Sequence, residues 1–241
     1  MQGGFASLCH ACYRSIPWIV RVHCPVCGRP ANCPDCVRRT HAAIIVNRSA
    51  VRYDAIIREW LALYKYHGHE ALEPLLGEML TAAYRGLQAE YARQAPDAAP
   101  LRFDAVIPVP VSEPRLLERG FNQAERLAAR LAASEQLTLH DVLRRTRHSG
   151  KQSIKSRGDR LRDTRNLFTT DGQAWDSLIH HVQVRSSSAI PPTSHCRLLL
   201  IDDIYTTGST VHACADALAT AMRQSSLGAT LEIYCLTLAR S

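Results

Sequence analysis

Apolar residues along the chain recur with two periods. From Asp54 to about Gly68, the residues Ile56, Ile57, Trp60, Leu61 and Tyr64 fall on one side of a helix, and Asp54 is placed to cap its first turn. The spacing predicts a second helix from Glu70 to about Arg93, followed by a loop at Pro96–Pro100. A third runs from about Asn122 to Glu135, with Ala124, Leu127, Ala128 and Leu131 as its buried stripe, and a fourth from Thr210 to Arg223. Between them stand short apolar runs: an extended stretch near Ala43–Arg52, DAVIPVPVS at 104–112, Leu137–Leu143, RLLLIDD at 197–203 and Leu231–Ala239. A run as continuous as Leu198–Ile201 is what a strand buried on both faces of a parallel sheet requires. Strands alternating with helices predict an α/β fold, a mostly parallel sheet flanked by helices. The stretch 169–194, which contains SSSAIPPTS, lacks clear periodicity and reads as a loop insertion.

Composition narrows the class. The 241 residues are 46% hydrophobic and 21% charged, enough to bury a core for one domain with an appendage. No apolar run approaches the ~20 residues that span a bilayer. The segment MQGGFASLCHAC lacks the charged-then-apolar order of a secretory signal. A cytoplasmic protein without membrane insertion is expected. Net charge is +7, and residues 144–165 account for all of it. They hold Arg144, Arg145, Arg147, Lys151, Lys155, Arg157, Arg160, Arg162 and Arg165 against Asp159 and Asp163. Such a block suits a phosphate-bearing partner, although a solvated helix face has the same composition.

Six of nine cysteines lie in the first 36 residues as three Cys-x-x-Cys pairs: Cys9/Cys12, Cys24/Cys27 and Cys33/Cys36. In a cytosolic chain this spacing points to zinc rather than to disulfides, because each pair is a tight turn that aims two thiolates at one point. CPVCGRP has the form of a zinc knuckle, with Pro25 setting the turn and Gly28 letting the chain reverse beneath the metal. Two ligand sets are open on spacing. Cys24, Cys27, Cys33 and Cys36 are consecutive, whereas Cys9, Cys12, Cys24 and Cys27 leave a longer ribbon loop. Residues 1–41 form a module too short to fold on a core of its own, preceding a main domain at 42–241. Cys196, Cys214 and Cys235 read as small buried hydrophobes.

The segment LLLIDDIYTTGSTV at 198–211 carries the chemistry. A buried strand ends in Asp202 and Asp203 at the carboxyl edge of the sheet, where α/β proteins place ligands. Thr206, Thr207, Gly208, Ser209 and Thr210 then lead into a helix. Gly208 permits close backbone approach, and the helix start offers unpaired N–H groups to a phosphate monoester. The two acids suit the vicinal hydroxyls of a ribose. Neither a P-loop nor a dinucleotide fingerprint is present.

This segment resembles the phosphoribosyl-pyrophosphate (PRPP) motif of type I phosphoribosyltransferases. CPVCGRP with CPDC, NRSAVRYDAIIREWLALYKYHGHEAL, VIPVPVS with ERGFNQAERLA, and KQSIKSRGDRLRDTRNLF surround it in order. Together they are similar to the ComF family, in its ComFC-type competence proteins of bacteria. The resemblance implies a phosphoribosyltransferase-like sheet behind an N-terminal zinc ribbon. It assigns Asp202 and Asp203 to ribose hydroxyls, and Thr206, Thr207, Gly208, Ser209 and Thr210 to the 5-phosphate. Val109, Pro110, Val111 and Ser112 take the place of the pyrophosphate loop. Arg119, Gly120, Asn122 and Gln123 of the RGFNQ stretch cover the same cleft, and Mg²⁺ would be held mainly by the ligand. Lys65, Tyr66 and Gly68 match a Lys-aromatic-x-Gly element that would serve as a lid. The family often carries four cysteine pairs. Alignment of Cys9/Cys12 with the second of them would leave that pair orphaned and Cys24, Cys27, Cys33 and Cys36 as the complete zinc site, with a lost first pair or a start further upstream.

The implied role is DNA uptake during natural transformation, with a helicase-like partner. Lys151, Lys155, Arg157, Arg160, Arg162 and Arg165 would track single-stranded DNA by charge. The alternative is an active phosphoribosyltransferase moving phosphoribosyl from PRPP to an acceptor. No catalytic base is assigned, since His67, His69, His140 and His148 qualify only by residue type.

Overall fold

Side chains along a strand point alternately to opposite faces, so a sheet with no polar face must be covered twice. A computed structural model describes residues 4–37, 43–66, 69–146, 167–188 and 195–241. Its sheet has four parallel strands in the order β1 (Val46–Arg52), β6 (Thr230–Arg240), β5 (His195–Tyr205) and β2 (Ala105–Pro108). Leu198 and Leu200 of β5 turn to one face with Ile107, Ile233 and Cys235. Leu199 and Ile201 turn to the other with Val106, Leu236 and Leu238.

The second of these faces is covered by α3 (Ala55–Tyr66), α4 (Glu73–Gln94) and α6 (Gln123–Glu135), through residues such as Ile57, Leu61, Leu76, Leu80, Leu127 and Leu131. These are the helices that the apolar spacing predicts. Asp54 Oδ1 accepts from Ile57 N–H at 3.0 Å, the expected cap. The expected helix from Glu70 begins with a short 3₁₀ turn, Glu70–Leu72, before α4. The first face is covered by α7 (Gly172–Ser188) and α8 (Ser209–Gln224).

Two expectations differ from what folds. Leu137–Leu143 is not a continuous strand. It makes a single parallel bridge, Leu139 to Val106, on the free edge of β2. The chain then enters β3 (Leu143–Arg145), which pairs antiparallel with β4 (Phe168–Thr170). The stretch read as a loop insertion, 169–194, carries α7. Asp171 Oδ1 accepts from Ala174 N–H at 3.0 Å, and Trp175, Leu178, Ile179 and Val182 form a buried stripe at helical spacing. The serine and proline run behind it hid a helix only four apolar residues deep.

Short helices α1 (His10–Arg14) and α2 (Pro34–Val37) lie in the cysteine-rich segment, which shares both cores of the main domain. Ile16, with Phe5, Leu8 and Trp18, joins the α3/α4 side, while Cys24 and Cys27 are buried on the α8 side. Residues 17–19 also run antiparallel along the outer edge of β1. Ile19 N–H donates to Ala50 O and Arg52 N–H to Pro17 O, both at 2.9 Å. Among the described residues no helix is long and apolar enough to cross a membrane.

Candidate functional site

The candidate site lies where β5 and β2 end side by side. Asp202 and Asp203 occupy the carboxyl end of β5 and are buried. Asp203 N–H donates to Asp202 Oδ1 at 2.8 Å, and Ile204 N–H to Asp203 Oδ1 at 3.0 Å. Lys65, at the end of α3, forms an ion pair with Asp203 Oδ2. The two carboxyls therefore differ. Burial and the neighbouring Asp203 charge push Asp202 well above the usual carboxylate range. Burial also pushes Asp203 upward, but the Lys65 ammonium outweighs it and holds Asp203 below its ordinary value.

Beyond Tyr205 the chain turns through exposed Thr206 and Thr207 to Gly208, whose φ of 80° is left-handed and which stands at the N-cap of α8. Thr207 Oγ1 and Ser209 Oγ share a hydrogen bond of 2.8 Å, and Ser209 and Thr210 are exposed. The loop thus presents hydroxyls and the first N–H groups of α8 to one side of the acid pair.

On the other side, Val109 N–H donates to Ile201 O at 2.9 Å, so the segment Val109, Pro110, Val111 and Ser112 leaves the sheet next to Asp202. Ser112 stands at the N-cap of α5 (Glu113–Arg119). Gly120, at φ 76°, ends α5, and two residues later Asn122 caps α6 by accepting from Ala124 N–H. Asn122 Nδ2 also donates to Val109 O at 3.2 Å, which ties the RGFNQ turn to the 109–112 segment. Arg119 donates to Gln123 Oε1 at 2.9 Å and to the Tyr66 hydroxyl at 2.6 Å, and its guanidinium lies 4.7 Å from the Tyr66 ring centroid. Lys65 and Tyr66 therefore tie the end of α3 to both the acid pair and the α5–α6 turn.

Arg145, on β3, lays its guanidinium over the Phe168 ring of β4, 5.6 Å from the centroid. Arg144 instead pairs with Asp141 at 2.8 Å and Asp171 at 3.5 Å. Lys151, Lys155, Arg157, Arg160, Arg162 and Arg165 lie outside the described residues, as do His67 and His148.

A second cluster sits beneath the loop. The ligand atoms of Cys24, Cys27, Cys33 and Cys36 all lie within 4.8 Å of one another. Sulfurs about 2.3 Å from a tetrahedral ion would be separated by somewhat less than that, so the four thiols can hold one divalent metal. The turn is built as CPVCGRP predicts. Cys27 N–H meets Cys24 Sγ at 3.5 Å, and Gly28 N–H donates to Cys24 O at 3.1 Å. At Gly28 (φ 72°), a Cβ would come 2.7 Å from Asn47 O. Burial and the surrounding thiols push the Cys36 thiol far above its ordinary value. Cys9 and Cys12 are exposed and stand outside the cluster.

Of the predicted residues, the structure brings together the acid pair, the Thr206–Thr210 loop, the 109–112 segment and the RGFNQ turn at the carboxyl edge of the sheet. It gathers one of the two cysteine sets open on spacing.

No family model matches the chain. Among curated proteins it is similar to competence protein ComFC of Bacillus subtilis, 29% identical over 220 residues, covering 88% of this chain and 77% of that protein. Competence protein ComFC of Streptococcus pneumoniae is 27% identical over 209 residues, 85% and 78% of the respective chains. Competence protein F of Haemophilus influenzae is 23% identical over 220 residues, 88% and 82% of the respective chains. Similarity at 23–29% identity, sustained along most of the chain in all three, supports its membership of the ComF family.

Proposed function

We propose that this is a competence protein whose cleft binds PRPP with Mg²⁺ and which acts in DNA uptake by binding single-stranded DNA. The relatives it matches are named competence proteins. The observation that carries the PRPP reading is the buried acid pair, with Lys65 on Asp203, beside a hydroxyl-rich loop with a left-handed glycine at the helix N-cap. Two carboxyls buried together raise the free energy of the empty protein, an arrangement characteristic of a ligand site. Asp203, ionised, accepts hydrogen bonds from ribose hydroxyls. Asp202 donates or accepts according to its proton. Thr206, Thr207, Gly208, Ser209 and Thr210 take the 5-phosphate, and the 109–112 segment takes the pyrophosphate, whose charge Mg²⁺ would offset. Zinc at Cys24, Cys27, Cys33 and Cys36 is structural in this reading.

Calorimetric titration of PRPP with Mg²⁺ tests it. Micromolar binding is expected for the zinc-loaded protein, and no measurable heat for the Asp202→Ala/Asp203→Ala double variant. Absence of binding by folded, zinc-loaded wild type removes the PRPP reading.

The DNA reading rests on charge. Replacing Arg157, Arg160 and Arg162 each by Glu is expected to weaken single-stranded DNA binding and flatten its salt dependence. Each phosphate that is no longer neutralised lowers the slope of log K against log salt by about 0.7. An unchanged slope and affinity would sink the basic block as the DNA-binding element.

A further inference from the structure

The phosphate loop and the cysteine cluster share one side chain. Arg240, the last residue of β6, is 2% exposed. Its Nη1 donates to the carbonyls of Tyr205 at 3.1 Å and Thr206 at 2.8 Å, the residues that open the loop. Its Nη2 donates to Cys27 Sγ at 3.3 Å. The guanidinium lies over the Tyr205 ring, 4.9 Å from its centroid. Nη1 also donates to Ser241 O, and among the described residues no aspartate or glutamate pairs with Arg240. A divalent ion held by four thiolates carries a net charge of −2, and that anion would lie within hydrogen-bond reach of Nη2.

From this geometry we infer that Arg240 is a positioning residue that couples occupancy of the cysteine cluster to the conformation of the Thr206–Thr210 loop. The inference rests on the reading of that loop as the phosphate site. With metal bound, the thiolate cluster anchors one end of the guanidinium and fixes its other donors on Tyr205 O and Thr206 O. Without metal, that anchor is reduced to the single contact with Cys27 Sγ, and the guanidinium is less firmly fixed on the loop carbonyls. Coupling of two sites is reciprocal: whatever metal does for phosphate binding, a bound phosphate must do for metal retention.

Two measurements on the zinc-loaded full chain test this. The first needs no phosphate ligand. Competition with a chromogenic chelator is expected to show zinc affinity 10–100-fold weaker in Arg240→Gln than in wild type, the usual effect of removing a hydrogen-bond donor behind a metal ligand. Equal affinity in a folded variant overturns the bridge. The second follows zinc release with and without PRPP. PRPP is expected to slow release from wild type at least about 5-fold and to leave the variant unaffected. A residue that merely fills space would change stability but not this linkage. Equal protection of wild type and variant, or no protection of a wild type that binds PRPP, also overturns the proposal. Where the glutamine variant does not fold, Arg240→Lys keeps the charge without the forked donors, and the same losses are expected. If calorimetry shows that wild type does not bind PRPP, the ligand reading has failed, and the chelator measurement alone decides whether Arg240 serves the metal.

Discussion

Cys27→Ser is expected to abolish stoichiometric zinc and the cooperative melting of the whole protein, rather than loosen the cysteine-rich segment alone. Cys27 is completely buried and belongs to the same core as Tyr205, Val211, Cys214 and Ile107. Its carbonyl accepts from Asn47 Nδ2 at 3.0 Å, on the first strand of the sheet. Losing one ligand of a structural site sacrifices much of an apparent binding free energy of about 10–16 kcal/mol. That matches or exceeds the whole stability of an ordinary domain, about 5–15 kcal/mol. Cys9→Ser provides the contrast, because its thiol is exposed and outside the cluster. It should retain full zinc and melt within about 0.5 kcal/mol of wild type. Metal analysis of purified variants and thermal melts followed by circular dichroism decide the matter. Full zinc in Cys27→Ser, or lost zinc in Cys9→Ser, would assign the metal to a different set of sulfurs.

What sequence could and could not show follows from how local each signal is. The strand ending in Asp202 and Asp203, the Asn122 cap and the Gly28 knuckle are set by residues a few positions apart, so their patterns were legible. Spacing alone left the choice between cysteine sets open, where the family resemblance pointed to Cys24, Cys27, Cys33 and Cys36; tertiary burial draws Cys24 and Cys27 into the α8 core and leaves Cys9 and Cys12 outside it. Helix α7 was lost for the opposite reason. Its stripe of Trp175, Leu178, Ile179 and Val182 is regular, but a serine and proline run adjoins it and His180 and His181 interrupt it. Arg240 illustrates the limit most clearly. It stands in a strand with nothing around it to mark it out and acquires its place from segments far away in sequence, beside Cys27 and Thr206. A cation that bridges two sites has no signature in either of them.

Gly208→Ala isolates the loop from the acids and from the metal. At φ 80° an L-residue is strained, typically by about 1–3 kcal/mol when the surroundings enforce the conformation. Space makes it worse, because a Cβ there would overlap the ring and hydroxyl of Tyr205. Tyr205 is 2% exposed and lies beneath the Arg240 guanidinium, so it has little freedom to withdraw. The loop must yield instead, moving the Ser209 N–H and the Thr207 hydroxyl away from their present positions. PRPP affinity is expected to fall at least about 100-fold, about 2.7 kcal/mol, since displaced donors cannot meet a phosphate whose position is fixed by the ribose on the acid pair. Thermal stability should fall only by the strain term, and zinc should stay stoichiometric because all four thiols remain, although its release should quicken where the displaced loop loosens Arg240. Calorimetry and a melt on the same preparation separate the two effects. Undiminished PRPP binding would show that the phosphate does not sit at Gly208, whereas loss of zinc along with PRPP would mean that strain in the loop reaches the metal site through Arg240.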